Sequence, residues 1–424
     1  MTSASETFAP EVPDPAEPVE LDSGGGGRLY AQTETLRATA PAVRVRLPED
    51  LLAWSVTRGD VVRRLLTHPH VRKDARRNWP GYEPGAISWL YPWVDSQSMF
   101  TSDAADHARL RNLIGRAFAP RRIEALRPAV RTIVTDLLDA LAARATGAGA
   151  PPVDLRADYA YAIPTRVICD LFGVPEEQRP AMLAAMDLVL TTDPAAVNAG
   201  EVSAEVIAHM RVLVETRRDD PGDDMTSLLL AAHEADGDRL TEHELISTLF
   251  LMVGAGSQTT AALLDHAVRE LLTHRDQLVA VLAEPARWDD VVEEALRLHP
   301  PIVHMPLRFA TGDIDLGEGV TIRSGEAIIV GFGAHGRDPA VHDDPAAFDI
   351  DRADKAHLAF GHGIHYCLGA SLARLEAQIA LPALFDRFPD LALAVPPSEL
   401  RHQSSFIGND VLALPVHLGS PAAP

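Results

Sequence analysis

Residues 360–369 read FGHGIHYCLG and run directly into a helix predicted for residues 370–381. Cys367 lies just before the start of that helix, where free backbone N–H groups and the helix dipole favour a thiolate. Gly363 and Gly369 permit a tight turn whose amides can point at the sulfur, and Phe360 can shield it. The segment therefore predicts a cysteine sulfur that is held in place for chemistry.

Three interpretations of this segment are open from the residues alone. A thiolate held in this way is a ligand for a soft or redox-active metal, haem iron included. His362, His365 and Cys367 together offer up to three ligands for zinc. A buried cysteine in a glycine-rich turn, with no metal, is the third interpretation. The chain has one other cysteine, Cys169, so a disulfide framework is excluded.

The rest of the sequence predicts a mainly α protein with a small β region. Apolar residues recur at helical spacing through most of residues 60–298, as in 123–141, 182–190 and 202–214. Residues 303–351 change to short strands and turns, with a hairpin at 314–326 and a buried strand at 327–330. More β structure is predicted for 391–418. We expect disordered or frayed ends at residues 1–27 and 419–424.

The composition excludes several classes of protein. The 424 residues are 46% hydrophobic and carry a formal net charge of −22, so nucleic acid and anionic membranes are not the expected main partners. Residues 245–264 contain no charge and are long enough to cross a membrane. Their interspersed Ser, Thr and Gln residues favour instead a helix buried through the centre of the protein. No secretory signal is recognised, so we expect a cytoplasmic location.

The segment around Cys367 resembles the cysteine loop of the cytochrome P450 superfamily, whose pattern is Phe-x-x-Gly-x-x-x-Cys-x-Gly. Phe360, Gly363, Cys367 and Gly369 fill that pattern completely. The resemblance covers residues 28–418 and is closest to macrolide- and steroid-oxidising members from actinobacteria. It implies one triangular, helix-rich domain, haem b with Cys367 as the axial ligand, and O2 as co-substrate.

A second motif supports the resemblance by its position upstream. Glu294 and Arg297 match the family's Glu-x-x-Arg helix motif and lie on one helix face. By resemblance they form a buried ion-pair network with Arg352, a structural role. The family's contacts to the haem propionates fall on His107, Arg111, Arg308 and His365, which can compensate buried anions.

Residues 254–260, GAGSQTT, resemble the family's oxygen-activation groove, in which an acid precedes a threonine. Ala255 and Gly256 match its small residues, and Thr259 matches its alcohol. The acid position holds Gln258, and an amide orients water but does not titrate. Because of this departure, several alternatives to ordinary hydroxylation stay open. They are slow or uncoupled hydroxylation, peroxide-driven turnover, and oxidative coupling or ring closure.

The family layout also indicates a roomy apolar pocket for a lipophilic substrate. Its expected lining is Met99, Leu249, Met252, Val253, Val303, Met305 and Phe406, with Met186 and Leu190 in a mobile lid. Core packing is the alternative role for each of these side chains.

The expected function is a haem-thiolate monooxygenase that inserts one oxygen atom into a C–H bond of a macrolide, another polyketide or a steroid. Oxidative coupling or ring closure on the same fold is the alternative. A haem sensor without turnover and a zinc hydrolase are competing classes. Electrons are expected from a ferredoxin and its NAD(P)H-dependent reductase. Because ferredoxins are acidic, docking requires a local basic patch, for which the candidates are Arg109, Arg116, Arg121, Arg122 and Arg374.

Overall fold

The computed structural model describes residues 17–145, 151–193, 195, 197–234 and 240–422. Helices predominate in the described residues, which confirms the mainly α prediction. In chain order they are α1 Gly26–Thr39, α2 Gly59–Leu65, α3 Ala75–Asn78, α4 Ala104–Gly115, α5 Pro120–Ala125, α6 Arg127–Arg144, α7 Ala162–Phe172, α8 Arg179–Asp187, α9 Ala199–Asp219, α10 Met225–Glu234, α11 Glu242–Thr273, α12 Arg275–Ala283, α13 Trp288–Leu298, α14 Phe332–Gly336 and α15 Ala370–Arg387.

The strands are short and lie mainly in one sheet. They are β1 Val19–Glu20, β2 Val43–Leu47, β3 Leu51–Val56, β4 Val71–Arg72, β5 Val153–Asp154, β6 His304–Ala310, β7 Ile314–Gly317, β8 Val320–Ile322, β9 Ala327–Gly331, β10 Ala392–Leu393 and β11 Pro415–His417. The largest sheet has the order β1-β2-β3-β9-β6-β4, and two smaller sheets join β10-β11-β5 and β7-β8.

Helix α11 is the 32-residue axis of the helical region. Thr241 and Glu244 form a capping box that satisfies free N–H groups at its start. Its apolar interior packs against α7, α9, α13 and α15. Among the described helices it alone is long and apolar enough to cross a membrane, and 72% of its most apolar window is buried inside the protein. That burial agrees with the predicted central core helix.

The β region agrees with the sequence prediction in part. The hairpin β7–β8 falls at the predicted place, and all five residues of β9 are buried between β3 and β6. The β2–β3 hairpin lies outside the predicted β region. Its tight turn at Glu49 and Asp50, both at φ 59°, is not marked by glycine, so the usual turn signal is absent. Residues 391–418 contain the two short strands β10 and β11, a 3-10 helix at Pro397–Glu399 and isolated β-bridges at His402, Gly408 and Val411.

The described parts of both chain ends, residues 17–27 and 419–422, are more ordered than predicted. Val19 and Glu20 pair in parallel with Val45 and Arg46, which satisfies backbone groups in a segment predicted to be disordered. The glycine run marks a turn instead of a flexible linker, because Gly25 and Gly26 adopt φ 67° and 53° at the start of α1. At the other end, Arg387 and Ala422 exchange two hydrogen bonds of 2.8 and 2.9 Å. Residues 1–16, 423 and 424 lie outside the described part.

Candidate active site

A large cavity joins the Cys367 loop to the middle of α11. Its unfilled space is about 1650 Å³ including its opening, and its wall contains Cys367, Ala255 and Thr259. The wall extends from Cys367 and Leu368 to Met99 and Met305, so the cavity joins the cysteine sulfur to an apolar space beside α11.

The Cys367 loop is a turn built from backbone hydrogen bonds. The Cys367 N–H donates to the Phe360 carbonyl at 2.8 Å. Gly361 and Gly363 adopt φ 71° and 75°, a region that L side chains rarely occupy. The Gly369 and Ala370 amides donate to the Cys367 sulfur at the start of α15. The geometry matches the predicted approach of amides to the sulfur.

The burial of the Cys367 sulfur disfavours the free thiolate. The exposed surface of Cys367 faces the cavity, and protein otherwise surrounds the sulfur. Burial raises the pKa of the Cys367 thiol, by more than the Gly369 and Ala370 amides and Arg111 lower it. The helix start alone therefore does not produce the thiolate that was predicted. A metal ion bound to this sulfur would supply the missing positive charge.

Beside the loop lies a cluster of buried side-chain nitrogens. His107 Nε2, His365 Nε2 and Arg308 Nε are buried and have no hydrogen-bond partner among the described residues. The rings of His107 and His365 lie 4.5 Å apart, and Arg111 donates to the Tyr366 carbonyl at 2.8 Å. Burial lowers the pKa of Arg308 to about 10, and burial also lowers the pKa of His107 and of His365. Unpaired buried donors are costly, so this cluster fits a bound anion.

Thr259 faces the cavity from α11. Its Oγ1 donates to the Ala255 carbonyl one turn back, at 2.7 Å, and both residues line the cavity. Gly256 also permits close helix packing: a Cβ there would lie 2.8 Å from Ile168 Cδ1 on α7. The structure thus gives Gly256 a packing role in addition to its place in the wall.

Gln258 is buried and bonded to the end of α8. Its Nε2 donates to the Asp187 carbonyl at 2.7 Å and to Asp187 Oδ1 at 3.2 Å. Both acceptors can only accept, so the amide nitrogen must point at Asp187 and the amide oxygen away from it. Gln258 therefore joins two helices at the position where the family pattern has an acid.

Glu294, Arg297 and Arg352 form a buried ion-pair network at the end of α13. Arg297 makes a two-pronged bond to Glu294, at 2.7 and 2.8 Å, and Arg352 Nε lies 3.3 Å from Glu294 Oε1. The Glu294 and Arg297 side chains have 0% exposure. Arg297 also donates to the carbonyls of Gly336, Pro345 and Ala347, so it organises the loop that follows α14.

The apolar part of the wall differs from the expected set. Met99, Met252, Met305 and Leu190 line the cavity. Leu249, Val253, Val303 and Phe406 lie in the hydrophobic core, with 0% exposure and no place in the cavity wall. The position of a residue in the sequence does not show whether its side chain faces the cavity or the hydrophobic core. Apolar side chains that were not predicted take their place: Phe100, Phe118, Ile168, Val189, Phe250, Leu251 and Ile302.

Two buried charged residues were not predicted from the sequence. Glu376 lines the cavity from α15, its Oε2 has no partner among the described residues, and burial raises its pKa well above the ordinary value. Lys73 is 1% exposed and lies near Arg308. The available signal for Glu376 is a carboxylate placed between Leu375 and Ala377 in an otherwise apolar helix stretch.

Comparisons with known proteins agree with this site. The family described as Cytochrome P450 matches residues 288–402. The 2-hydroxy-5-methyl-1-naphthoate 7-hydroxylase of Streptomyces carzinostaticus is 44% identical over 414 residues, 96% of this chain and 98% of its own. CYP154A1 from Streptomyces coelicolor A3(2) has a TM-score of 0.88 at 43% identity, over 94% of this chain and 100% of its own. "Testerone bound CYP154C4 from Streptomyces sp. ATCC 11861" has a TM-score of 0.89 at 39% identity, over 96% and 100%.

The chain belongs to the cytochrome P450 family. It is a monooxygenase of that family and resembles bacterial members of secondary metabolism. The family implies a haem-thiolate cofactor with O2, and the residues of the cavity fit that group. One cysteine sulfur lies in the wall of a large apolar cavity, and the unpartnered nitrogens of His107, Arg308 and His365 lie beside it.

Proposed function

We propose that this chain binds haem b through Cys367 and hydroxylates a lipophilic secondary metabolite, a macrolide, another polyketide or a steroid, with electrons from a ferredoxin. The observation that carries the proposal is the shared cavity of Cys367, Ala255 and Thr259, beside the unpartnered nitrogens of His107, Arg308 and His365. Haem bound there supplies iron-based activation of O2.

The protein's own part begins with holding the cofactor. Cys367 supplies the sulfur ligand, and the Gly369 and Ala370 amides hold that sulfur in position. His107, Arg111, Arg308 and His365 bind the two propionate carboxylates. Phe360, with Arg374 4.5 Å above its ring, covers the loop on one side. These contacts orient the cofactor and exclude water from the ligand sulfur.

Protons reach the site through residues that line the cavity. Thr259 holds and orients water with its hydroxyl, whose proton is shared with the Ala255 carbonyl. Glu376 also lines the cavity, and burial raises the pKa of its carboxyl well above the ordinary value. Gln258 takes no proton in this scheme, since its amide nitrogen is bonded to Asp187.

The cavity wall favours a bulky apolar substrate. Flexible methionines at positions 99, 252 and 305 and the rings of Phe100, Phe118 and Phe250 line it. Methionine side chains adapt to irregular shapes, which suits a large and rigid ligand. The naphthoate named for one relative is a candidate substrate in addition to macrolides and steroids.

Ferredoxin docking falls on the surface near the Cys367 loop. Arg116 follows Gly115, which packs near Leu368, and α5 with Arg121 and Arg122 packs against α15. Among the described residues these three exposed arginines have no ion pair, whereas Arg374 is bonded to Glu293 and Arg109 to Glu244. Exposed Ile364 provides an apolar centre. The proposed docking patch is therefore formed by Arg116, Arg121 and Arg122, and is smaller than the five-arginine patch expected from the sequence. We place the protein in the cytoplasm with these carriers.

The reduced protein with carbon monoxide tests the proposal. We expect a strongly red-shifted Soret band, as thiolate ligation gives, and its loss in Cys367→Ser. Naphthoates, macrolides and steroids are then screened for a substrate-induced spin shift, and the product is analysed after turnover under labelled O2. Purified protein that contains zinc and takes up no haem contradicts the proposal.

Oxidative coupling or ring closure remains a second candidate. It is favoured by Gln258, because the family's acid position holds a non-titrating amide that is already bonded to Asp187. Labelled O2 separates the two candidates. Hydroxylation places the label in the product, and coupling produces an unlabelled product with loss of two hydrogens.

A further inference from the structure

Lys73 is fully buried and its ammonium holds two backbone carbonyls. Nζ donates to the carbonyls of Pro306 at 2.8 Å and Leu307 at 3.0 Å, and lies 3.9 Å from the centre of the Phe100 ring. Buried lysines are rare unless they are paired. Pro306 and Leu307 belong to β6, so these bonds join Lys73 to that strand.

Both carbonyls belong to a bulge. Met305 pairs with Val330 and Arg308 pairs with Ile328, so two residues of β6 lie opposite one of β9. Successive carbonyls of a regular strand point in opposite directions, whereas a bulge can turn two of them to one side. One ammonium can therefore bind both, and Pro306, which lacks an N–H, is tolerated at such a site.

The bulge decides which side chains of β6 face the cavity. Residues three apart in a regular strand point to opposite faces. Met305 nevertheless lines the cavity. Val330 and Ile328, the partners of Met305 and Arg308, are two residues apart on β9 and share one face of the sheet, so Met305 and Arg308 also share a face. Because the bulge adds one residue to β6, Met305, on the proposed substrate side, and Arg308, on the proposed propionate side, point to the same face of the strand.

Arg308 lacks a partner at this end of the cavity. Its Nε is buried and has no hydrogen-bond partner among the described residues, and an unpaired buried cation is costly. Asp103 Oδ2 is already bonded to the backbone N–H of Lys73, at 2.9 Å. A propionate of the proposed haem would supply the partner that Arg308 lacks.

We propose that Lys73 is a positioning residue for the propionate end of the cofactor: its ammonium fixes the β6 bulge that turns Arg308 and Met305 toward the cavity. The proposal rests on the proposed haem site. A first spectrum of the wild-type holoenzyme shows whether haem is bound, so failure of the haem assignment is recognised separately.

The experiment measures haem release from the holoenzyme to excess apomyoglobin. Lys73→Met keeps the length of the side chain and removes the ammonium. We expect release to become about tenfold faster, as for the loss of a charged hydrogen bond. The matched control is Lys355→Met. Lys355 is the only other lysine, bonded to Asp290 and to the Arg352 carbonyl, and its loss leaves the release rate unchanged.

A double-mutant cycle separates positioning from general destabilisation. If Lys73 acts through Arg308, Lys73→Met in an Arg308→Leu background adds less than about twofold to the release rate. An unchanged rate in Lys73→Met, or the same tenfold increase in both backgrounds, overturns the proposal. If Lys73→Met does not retain haem, Lys73→Gln replaces it, because Gln keeps one donor. That variant is expected to release haem at an intermediate rate, and release as slow as in the wild type counts against the proposal.

Discussion

Gln258 on α11 donates through Nε2 to the backbone carbonyl of Asp187, the last residue of α8, at 2.7 Å. Gln403 Nε2 donates to the same carbonyl at 3.0 Å. Val189 and Leu190, just beyond this point, line the cavity. The central helix and the C-terminal region therefore jointly hold the segment that closes one side of the substrate space.

Gln258→Glu tests this bond directly. A carboxylate at that position faces the Asp187 carbonyl and carboxylate without a donor, so we expect a loss of about 1–3 kcal/mol in the free energy of unfolding. We also expect a change in product formed per NAD(P)H, since the cavity wall is released. Thermal unfolding and coupling are measured with Gln258→Asn as the neutral control. Unchanged stability contradicts the importance of the bond, and unchanged coupling would show that the bond does not affect proton delivery to the site.

Thr259→Ala removes the hydroxyl from the cavity and leaves the fold intact. We expect product per NAD(P)H to fall by about tenfold or more, because a positioned proton-transfer group is lost. Thr273→Ala is the matched control. Thr273 Oγ1 makes the same bond to a carbonyl four residues back, to Arg269 at 2.8 Å, at the exposed end of the same helix. Equal effects of the two substitutions would show that the hydroxyl matters only for the helix.

The Cys367 loop and the central helix were predictable because their signals are local. Glycines in a predicted turn, a cysteine just before a predicted helix and an uncharged helical stretch can each be recognised from consecutive residues. The positions of Val303 and Phe406 were not predictable from their apolar character. Their neighbours come from distant parts of the chain, and only tertiary packing decides whether a side chain faces the cavity or the core.

The bond between Gln258 and Asp187 shows a second limit of prediction from the sequence. The sequence revealed that an acid was replaced by an amide, but it contained no sign of the amide's partner 71 residues away. The same holds for Lys73, whose acceptors lie 233 and 234 residues further along. Nonlocal polar pairs leave no periodicity, so sequence patterning does not detect them.

Arg297→Lys is expected to destabilise the protein strongly. Lysine cannot form the two-pronged bond to Glu294, and it has too few donors to keep the further bonds of Arg297 to the Gly336, Pro345 and Ala347 carbonyls. Disrupting a buried pair of this kind typically costs about 3–5 kcal/mol. Urea unfolding measures the loss, and Arg287→Lys, at a pair with the exposed Asp351, is the control. A loss as small as in that control would show that the network is dispensable.

His304 gives the fold a stability that depends on pH. It is fully buried, with Nε2 3.2 Å from Thr33 Oγ1 of α1, and burial lowers its pKa from 6.5 to about 4. Below pH 6.5 the unfolded chain therefore binds a proton that the native protein excludes. Stability is lost as the pH falls from about 6.5 toward 4, and by about 2 kcal/mol between pH 7.5 and 5.

The measurement for His304 is the free energy of unfolding in urea at both pH values, for the wild type and for His304→Gln. Glutamine keeps a polar group near Thr33 but does not titrate. The difference in free energy between wild type and variant should therefore shrink by about 2 kcal/mol on going from pH 7.5 to 5. Other groups, including His299, contribute equally to both proteins and cancel in the difference. A difference that is the same at both pH values would mean that His304 takes up its proton in the native protein as readily as in the unfolded chain.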